Sequence, residues 1–305
     1  MTHDDDFGGP RIERVDGAEG LRAELEDLAA RCERADGAAP FNEATMLELR
    51  ARRGAVVRGE GGALAAALLA RTTPAGEVEA ELAVAPESRC RGLGARLAAE
   101  LERLADGRPI LVWAHGAHPG ALALGRLHGA APSRRLLKLG LALDEAARER
   151  ALADEALPAP EGVEIGPLRR GADEDELLAV NAEAFRSHPE QGALDRAGFD
   201  ERAREPWFDP ERILVARDAA SGRMLGFSWL KVDGDEAEIY VIGVADAAAG
   251  RGIGRALMRR GLGLLAASGR PEALLYVEGD NERAVGLYRS LGFEDRAVDL
   301  QLRRP

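Results

Sequence analysis

Cysteine is almost missing from this chain. Cys32 and Cys90 are the only two in 305 residues, too few for a disulfide framework, which points to a reducing cytoplasm. Histidine is scarce too, at five, and neither residue type shows metal-ligand spacing, so no metal is expected. Aromatic residues make up only 4%, leaving Ala and Leu to fill the cores that a 46% hydrophobic content allows. Positive charge is in deficit. A formal net charge of −12 excludes broad binding to nucleic acid or anionic membranes, whose phosphates require a basic surface. No apolar run approaches the roughly 20 residues of a membrane helix. The start, MTHDDDFGG, has neither the basic opening nor the apolar core of a signal peptide. A cytoplasmic monomer is expected, with no nucleic-acid or membrane partner.

What is present centres on residues 241–257, VIGVADAAAGRGIGRAL. A strand-like run breaks into a glycine loop, and the loop enters a helix with an apolar stripe at Ile253, Leu257 and Leu264. The first-turn N–H groups of a helix have no intrahelical partner, and its dipole is positive there, so such a junction can hold a phosphate. Gly250, Gly252 and Gly254 allow close backbone approach, and Arg251 and Arg255 add charge. The dinucleotide fingerprint and the P-loop lysine are both missing. A second copy stands at 82–97, LAVAPESRCRGLGARL, in which Val84, Arg91, Gly92, Gly94 and Leu97 match Val244, Arg251, Gly252, Gly254 and Leu257 at a constant offset of 160. That spacing marks a duplicated domain rather than a solenoid repeat.

Two domains of about 150 residues each suit a chain of this length. In the first half, helices are expected over 19–34 and 43–53, the latter capped by Asn42. Strands are expected at 55–58, 64–71 and 77–84, the last placing Val78, Ala80, Leu82 and Val84 on one face and Glu77, Glu79 and Glu81 on the other. The loop helix, a strand at 110–114, a helix near 121–128 and a strand near 136–143 follow. Residues 144–161, with Pro158 and Pro160, have no strand signal and some helical propensity in their first half; they read as a linker. The second half repeats the plan: strand 163–168, helix 173–185, polar loop 188–192, strands 213–217, 224–232 and 237–244, the loop helix, strand 273–277, helix 281–291 closed by Gly292, and strand 297–302. The expected domains are 1–145 and 162–305, joined by 146–161, each a mixed α/β sheet.

Strand, then R/Q-x-x-G-x-G/A, then helix, then strand, then NERAVGLYRSLGF at 281–293 resembles the GNAT superfamily of N-acetyltransferases. The resemblance implies two tandem GNAT-like α/β domains and acetyl-CoA as acetyl donor. Its pyrophosphate would lie on the glycine loops and its pantetheine between splayed strands. By that resemblance the donor contacts are Leu82, Ala83, Val84, Arg89, Cys90, Arg91, Gly92, Leu93, Gly94 and Ala95 in the first copy. In the second they are Ile242, Gly243, Val244, Ala249, Gly250, Arg251, Gly252, Ile253, Gly254 and Arg255, with Asn281, Glu282, Arg283, Ala284, Val285 and Gly286. The first loop keeps the family's basic residue at Arg89, whereas the second has Ala249 there. Asn281 can cap its helix, contact the donor or do both, with Asp280 a competing cap. Cys90 has no neighbouring base, so only its backbone is expected to act.

NAEAFRSHPEQG, EPWFDP, GFSWLKV, EIYVIGV and LYVEGDN, all in the second half, are similar to the mycothiol synthase family of tandem acetyltransferases. This implies transfer of acetyl to the cysteine amine of a cysteinyl-glucosaminyl-inositol, directly and without a covalent enzyme intermediate. The resemblance makes Glu238 the base and Tyr288 the acid that protonates the departing thiolate. It makes Glu43, Glu190, Lys231, Glu238 and Tyr276 contacts of this amino-thiol pseudodisaccharide. The N–H groups of 242–244 would hold the acetyl carbonyl. Alternatives are an acetyltransferase for a protein N-terminus or an aminoglycoside, and a non-catalytic acetyl-CoA-binding regulator. At the loop's offset Val78 stands in the place of Glu238, and the later helix places Gly125 at Tyr288 and His118 at Asn281. The first domain is expected to bind the donor without turning it over.

Overall fold

Strand and helix alternation along the chain resolves into two units, each built on its own run of strands. The computed structural model describes residues 11–186 and 189–305, the side chains of 189 and 190 excepted.

The first unit gathers residues 11–137, 278–280 and Ala297–Pro305. It begins with β1 (Ile12–Asp16), a strand the sequence pattern did not announce, then α1 (Arg22–Asp36) and α2 (Glu43–Leu47). Asn42 caps α2 as expected, its Oδ1 accepting the Thr45 amide at 2.8 Å. The helix is shorter than the expected 43–53, because a 3-10 turn at Leu49–Ala51 replaces its second half. There follow β2 (Arg53–Arg58), β3 (Leu64–Thr72), β4 (Val78–Val84), α3 (Leu93–Ala105), β5 (Ile110–Ala114), α4 (Pro119–Leu127) and the first part of β6 (Ala131–Ala142). Strands β1 to β4 pair antiparallel in order, β4 pairs parallel with β5, and β5 pairs antiparallel with the end of β12 (Glu294–Arg304).

Strand alternation divides the core of this unit. Ala55 and Val57 of β2 pack with Leu93, Leu97 and Leu101 of α3, while Val56 between them packs with Leu25, Leu28 and Cys32 of α1. Helices therefore cover both sides of the sheet, and β3 packs Ala65, Ala66, Leu68 and Ala70 with α3 and Leu64, Ala67 and Leu69 with α1.

The second unit gathers residues 138–277 and 281–296. The first half of the expected linker is α5 (Glu145–Glu155), capped by Asp144, which accepts the Ala147 amide at 2.7 Å. Arg148 donates to the carbonyls of Ala266 and Arg270 at 2.7 and 2.5 Å, tying α5 to the end of α9 (Ile253–Ala267). The other elements are β7 (Val163–Pro167), α6 (Glu174–Ala184), α7 (Pro189–Gly192), α8 (Arg196–Arg202), β8 (Ile213–Asp218), β9 (Met224–Asp233), β10 (Glu236–Val244), β11 (Glu272–Glu278) and α10 (Glu282–Ser290). Part of the expected polar loop 188–192 is thus one helical turn, and α8 was not foreseen. The strand order is β6-β11-β10-β9-β8-β7, with β10 and β11 parallel and β7 to β10 antiparallel. The compact units differ from the limits expected along the chain: β6 and β12 are each divided, and the last nine residues join the first unit.

Candidate active site

In the second unit β10 leads through a 3-10 turn, Asp246–Ala248, into the glycine loop and α9. Gly250 and Gly252 hold φ values of 80° and 78°, a region that costs other residues about 1–2 kcal/mol each. A Cβ on Gly250 would meet nothing within 4 Å, so bare backbone faces outward there. Among the described residues, none of the amides of residues 250–255 donates to a backbone carbonyl. Unpaired first-turn amides, positive helix dipole and absent side chains together make an anion cradle. Arg251 and Arg255 are exposed beside it, the latter donating to Ser290 Oγ at 3.1 Å.

The same unit opens a cleft by parting two strands. β10 and β11 are in register only at Glu238–Leu274 and Ile239–Leu275, yet β10 continues to Val244 and β11 to Glu278. Beyond Ile239 one edge of β10 has no strand partner among the described residues. The Ala245 amide donates to Leu225 on the other side at 2.9 Å, so alternation turns the amides of Val244 and Ile242 toward the open edge. The two N–H groups lie parallel, about 6.6 Å apart along the strand, so one of them can meet a carbonyl oxygen that gains negative charge while the other serves a different acceptor. Gly243 lies between them and packs inward, where an added Cβ would stand 3.1 Å from Phe227.

A row of polar side chains crosses the sheet at the foot of this cleft. Glu238 is directly opposite Lys231 of β9. Tyr276, two residues past Leu274, shares the face of Glu238 and is 42% exposed. Desolvation raises its phenol to about 12, with Lys138 opposing the rise and Glu238 adding to it. The Lys231 ammonium lies 4.9 Å from the centre of the Trp207 ring and 5.8 Å from that of Tyr240, and Arg202 donates to the Tyr240 hydroxyl at 2.9 Å. Tyr240 is the extra residue of a bulge, since register is interrupted between Ile239 and Val241. Trp207, Tyr240 and Arg202 escaped the sequence reading. A bulge has no period-two signature, and EPWFDP carried no signal beyond its resemblance.

α10 supplies the remaining groups. Asn281 caps it, its Oδ1 accepting the Ala284 amide at 3.1 Å, while Glu282, Arg283 and Gly286 are exposed. Tyr288 is 7% exposed and packs against Phe293 with ring centres 6.1 Å apart. Its hydroxyl has no hydrogen-bond partner among the described residues, and burial raises its phenol to about 12. Glu43 is the first residue of α2 in the other unit and is half-buried. The side chain of Glu190 lies outside the described residues.

The first unit repeats the scaffold and fills it. Its loop has Gly92 at φ 80°, but Cys90, at φ 59°, takes the place of Gly250. Its amides 90–95 are likewise without backbone acceptors among the described residues. The Arg89 guanidinium, however, is bidentate to Asp36 at 2.6 and 2.7 Å, and its Nε donates to the Val84 carbonyl at 3.1 Å. Strands β4 and β5 also part, after Ala80–Val112.

Strand register corrects the alignment of the two copies. Glu79 pairs with Arg71 as Glu238 pairs with Lys231, so Glu79, not Val78, holds the place of Glu238. The bulge at Tyr240 inserts one residue into β10 that β4 lacks. The side chains that alternation assigned to a polar face, Glu79 and Glu81, are 4% and 2% exposed. Glu79 accepts from Arg71 Nε at 2.8 Å, Trp113 Nε1 at 3.1 Å and Gln301 Nε2 at 3.5 Å. Glu81 meets His115 Nε2 at 2.6 Å, and Asp299 meets His115 Nδ1 at 3.1 Å. Desolvation disfavours the imidazolium, but the two carboxylates dominate and raise it to about 10. His118 caps α4 as Asn281 caps α10, and the space beside Gly125 is taken by Leu302. Among the described residues no group of three His, Cys, Asp or Glu side chains is placed to hold a metal ion, and no helix is long and apolar enough to cross a membrane.

A glycine loop opening a helix beside two parting strands, present twice, defines the class. The chain belongs to the acetyltransferase (GNAT) family, whose profile matches residues 22–129 and 177–293. It is 45% identical over 298 residues to a mycothiol acetyltransferase of Clavibacter michiganensis subsp. michiganensis, covering 96% of this chain and 95% of that one. A mycothiol acetyltransferase of Thermobifida fusca is 44% identical over 290 residues, 88% of this chain and 89% of the relative. Among solved structures, a tandem GNAT protein from the clavulanic acid biosynthesis pathway superposes with a TM-score of 0.73 at 20% identity, covering 97% and 98% of the two chains.

Proposed function

We propose that the chain transfers acetyl from acetyl-CoA to the cysteine amine of desacetylmycothiol, cysteinyl-glucosaminyl-inositol, with the chemistry confined to the second unit. The observation that carries this reading is the contrast between the two polar rows. Glu79 is enclosed by Arg71, Trp113 and Gln301. Glu238 is half-buried beside an exposed Tyr276 at the mouth of a parted strand pair. Relatives that share over two-fifths of the sequence along nearly its whole length support the choice of acceptor.

Acetyl-CoA fits the bare amides of residues 250–255, and when bound it supplies an activated thioester. Arg251 and Arg255 stand by the cradle to meet phosphate charge. The Glu238 carboxylate takes the proton that the attacking amine must lose, directly or through water. One amide of the open β10 edge, that of Ile242 or of Val244, holds the carbonyl oxygen as its charge grows. The Tyr288 hydroxyl gives its proton to the sulfur as the carbon–sulfur bond breaks. Lys231 and Tyr276 face the acceptor from either side of Glu238. The protein acts in this reading as a cytoplasmic monomer on a small thiol.

Mass spectrometry after incubation with acetyl-CoA and purified desacetylmycothiol tests it. The expected product is heavier by one acetyl group, carried on nitrogen and not on sulfur. No acetylation of this acceptor, with transfer to an aminoglycoside or a peptide N-terminus instead, replaces the acceptor. Binding of acetyl-CoA with no transfer to any amine would leave a regulator.

A further inference from the structure

The chain meets its need for positive charge almost wholly with arginine: of 41 basic residues only Lys138 and Lys231 are lysines. Both stand in the polar row of the second unit. Lys231 is opposite Glu238 on β9. Lys138 lies on β6, the strand next to β11, and its Nζ is 5.5 Å from the centre of the Tyr276 ring. It also reaches Glu236 Oε1 at 3.4 Å. Glu236 and Glu238 share a face of β10, and Leu274, in register with Glu238, puts Tyr276 on that face too. The row therefore runs Lys138, Tyr276, Glu238, Lys231 across β6, β11, β10 and β9.

We propose that Lys138 is a positioning residue of the acceptor site, fixing the Tyr276 ring so that its exposed edge meets the acceptor beside Glu238. Lys138 precedes the second repeat in the sequence, yet it belongs to the second unit. The choice of lysine has a physical reason. A compact ammonium sits over a ring as a point charge, where a guanidinium would stack flat and spread across its face. Its side chain is 26% exposed and that of Glu236 is 66% exposed, so the ion pair with Glu236 contributes little and the ring contact is the better-buried partner. Burial lowers the Lys138 ammonium pKa, but Tyr276 and Glu236 more than offset that, so it stays charged at neutral pH.

The proposal rests on the acceptor reading above, and the test separates the two. Full-length wild type, Lys138→Met and Lys138→Arg are assayed with acetyl-CoA and desacetylmycothiol, and acetyl-CoA binding is measured by calorimetry. Lys138→Met is expected to raise KM for the acceptor roughly 3- to 30-fold, the range of a partly desolvated cation–ring contact. Acetyl-CoA affinity should be unchanged and kcat altered much less than KM. Lys138→Arg should return KM to within about threefold of wild type, because charge over the ring is restored. A Lys138→Met enzyme with wild-type KM overturns the proposal and leaves the acceptor reading standing. Weakened acetyl-CoA binding together with a lowered melting temperature would make Lys138 a strand tie only, and also overturns it. Wild type that transfers nothing to this acceptor overturns both.

Discussion

Glu79 stands opposite Arg71 in the first unit as Glu238 stands opposite Lys231 in the second. The two carboxylates occupy one place in a duplicated scaffold, but their surroundings differ: Glu79 is 4% exposed and hydrogen-bonded on several sides, while Glu238 borders the exposed Tyr276. The same substitution should therefore have opposite consequences at the two positions. Glu238→Gln is expected to lower kcat by roughly 10²–10⁴ with acetyl-CoA affinity retained. Glu79→Gln should leave turnover near wild type and lower stability by about 1–3 kcal/mol, since donors around it lose a charged acceptor. Steady-state kinetics and denaturant melts on both variants decide, and near-normal turnover in Glu238→Gln would remove it from the mechanism.

Tyr288→Phe keeps the ring against Phe293 and removes only the proton donor. Turnover should fall roughly 10²-fold with an unchanged circular dichroism spectrum. With its phenol raised to about 12, Tyr288 stays protonated throughout the assay range, so the pH profile of kcat should show no basic limb from this residue below about pH 10. Equal kcat in the variant and wild type would make Tyr288 a packing residue.

His115 gives a pH-dependent stability with a definite sign. Its folded pKa, about 10, lies above an unfolded value near 6.5. The stabilisation is complete below about pH 6.5 and is lost as pH rises through 10. His115→Gln leaves Glu81 and Asp299 without their cation and should cost about 3–5 kcal/mol near pH 6.5. The gap between the two melting curves should narrow steadily toward pH 10. A gap that is constant with pH would show that the imidazolium is not the stabilising species.

The backbone cradle is present in both units, at amides 90–95 and 250–255. Calorimetric titration of Glu238→Gln is expected to find two equivalents of acetyl-CoA per chain. Gly250→Val together with Gly252→Val forces β-branched residues into the left-handed region, at about 1–3 kcal/mol each, and blocks the second cradle. That variant should retain one equivalent. If no binding remains, the first unit is a buttress whose loop is only a turn.

Much of this was legible in the chain. The glycine loops, their offset, the caps at Asn42 and Asn281 and the mixed α/β plan all rest on short-range patterns, which sequence preserves. What was not legible depends on distant pairing. His115 and Asp299 are 184 residues apart and meet only because the last strand lies beside β5. Alternation correctly placed Glu79 and Glu81 on one face but could not say that Trp113, Gln301 and His115 would cover it. The bulge at Tyr240 moved one copy by a single residue, enough to exchange Val78 for Glu79. Lys138 was invisible as a site residue because its strand is completed by elements from much later in the chain.

The pairing of β5 with residues Leu300–Arg304 also sets the order in which the protein can be made. While the ribosome is still working through the second repeat, the first repeat lacks its outer strand, and β5 presents an unpaired edge of the kind that invites aggregation. Asp299, the counter-ion of His115, follows it in the chain by 184 residues. Folding of the first unit is therefore completed only once residues 297–305 have been made, after the second repeat, and a chain interrupted before them leaves β5 and His115 without the partners that β12 supplies.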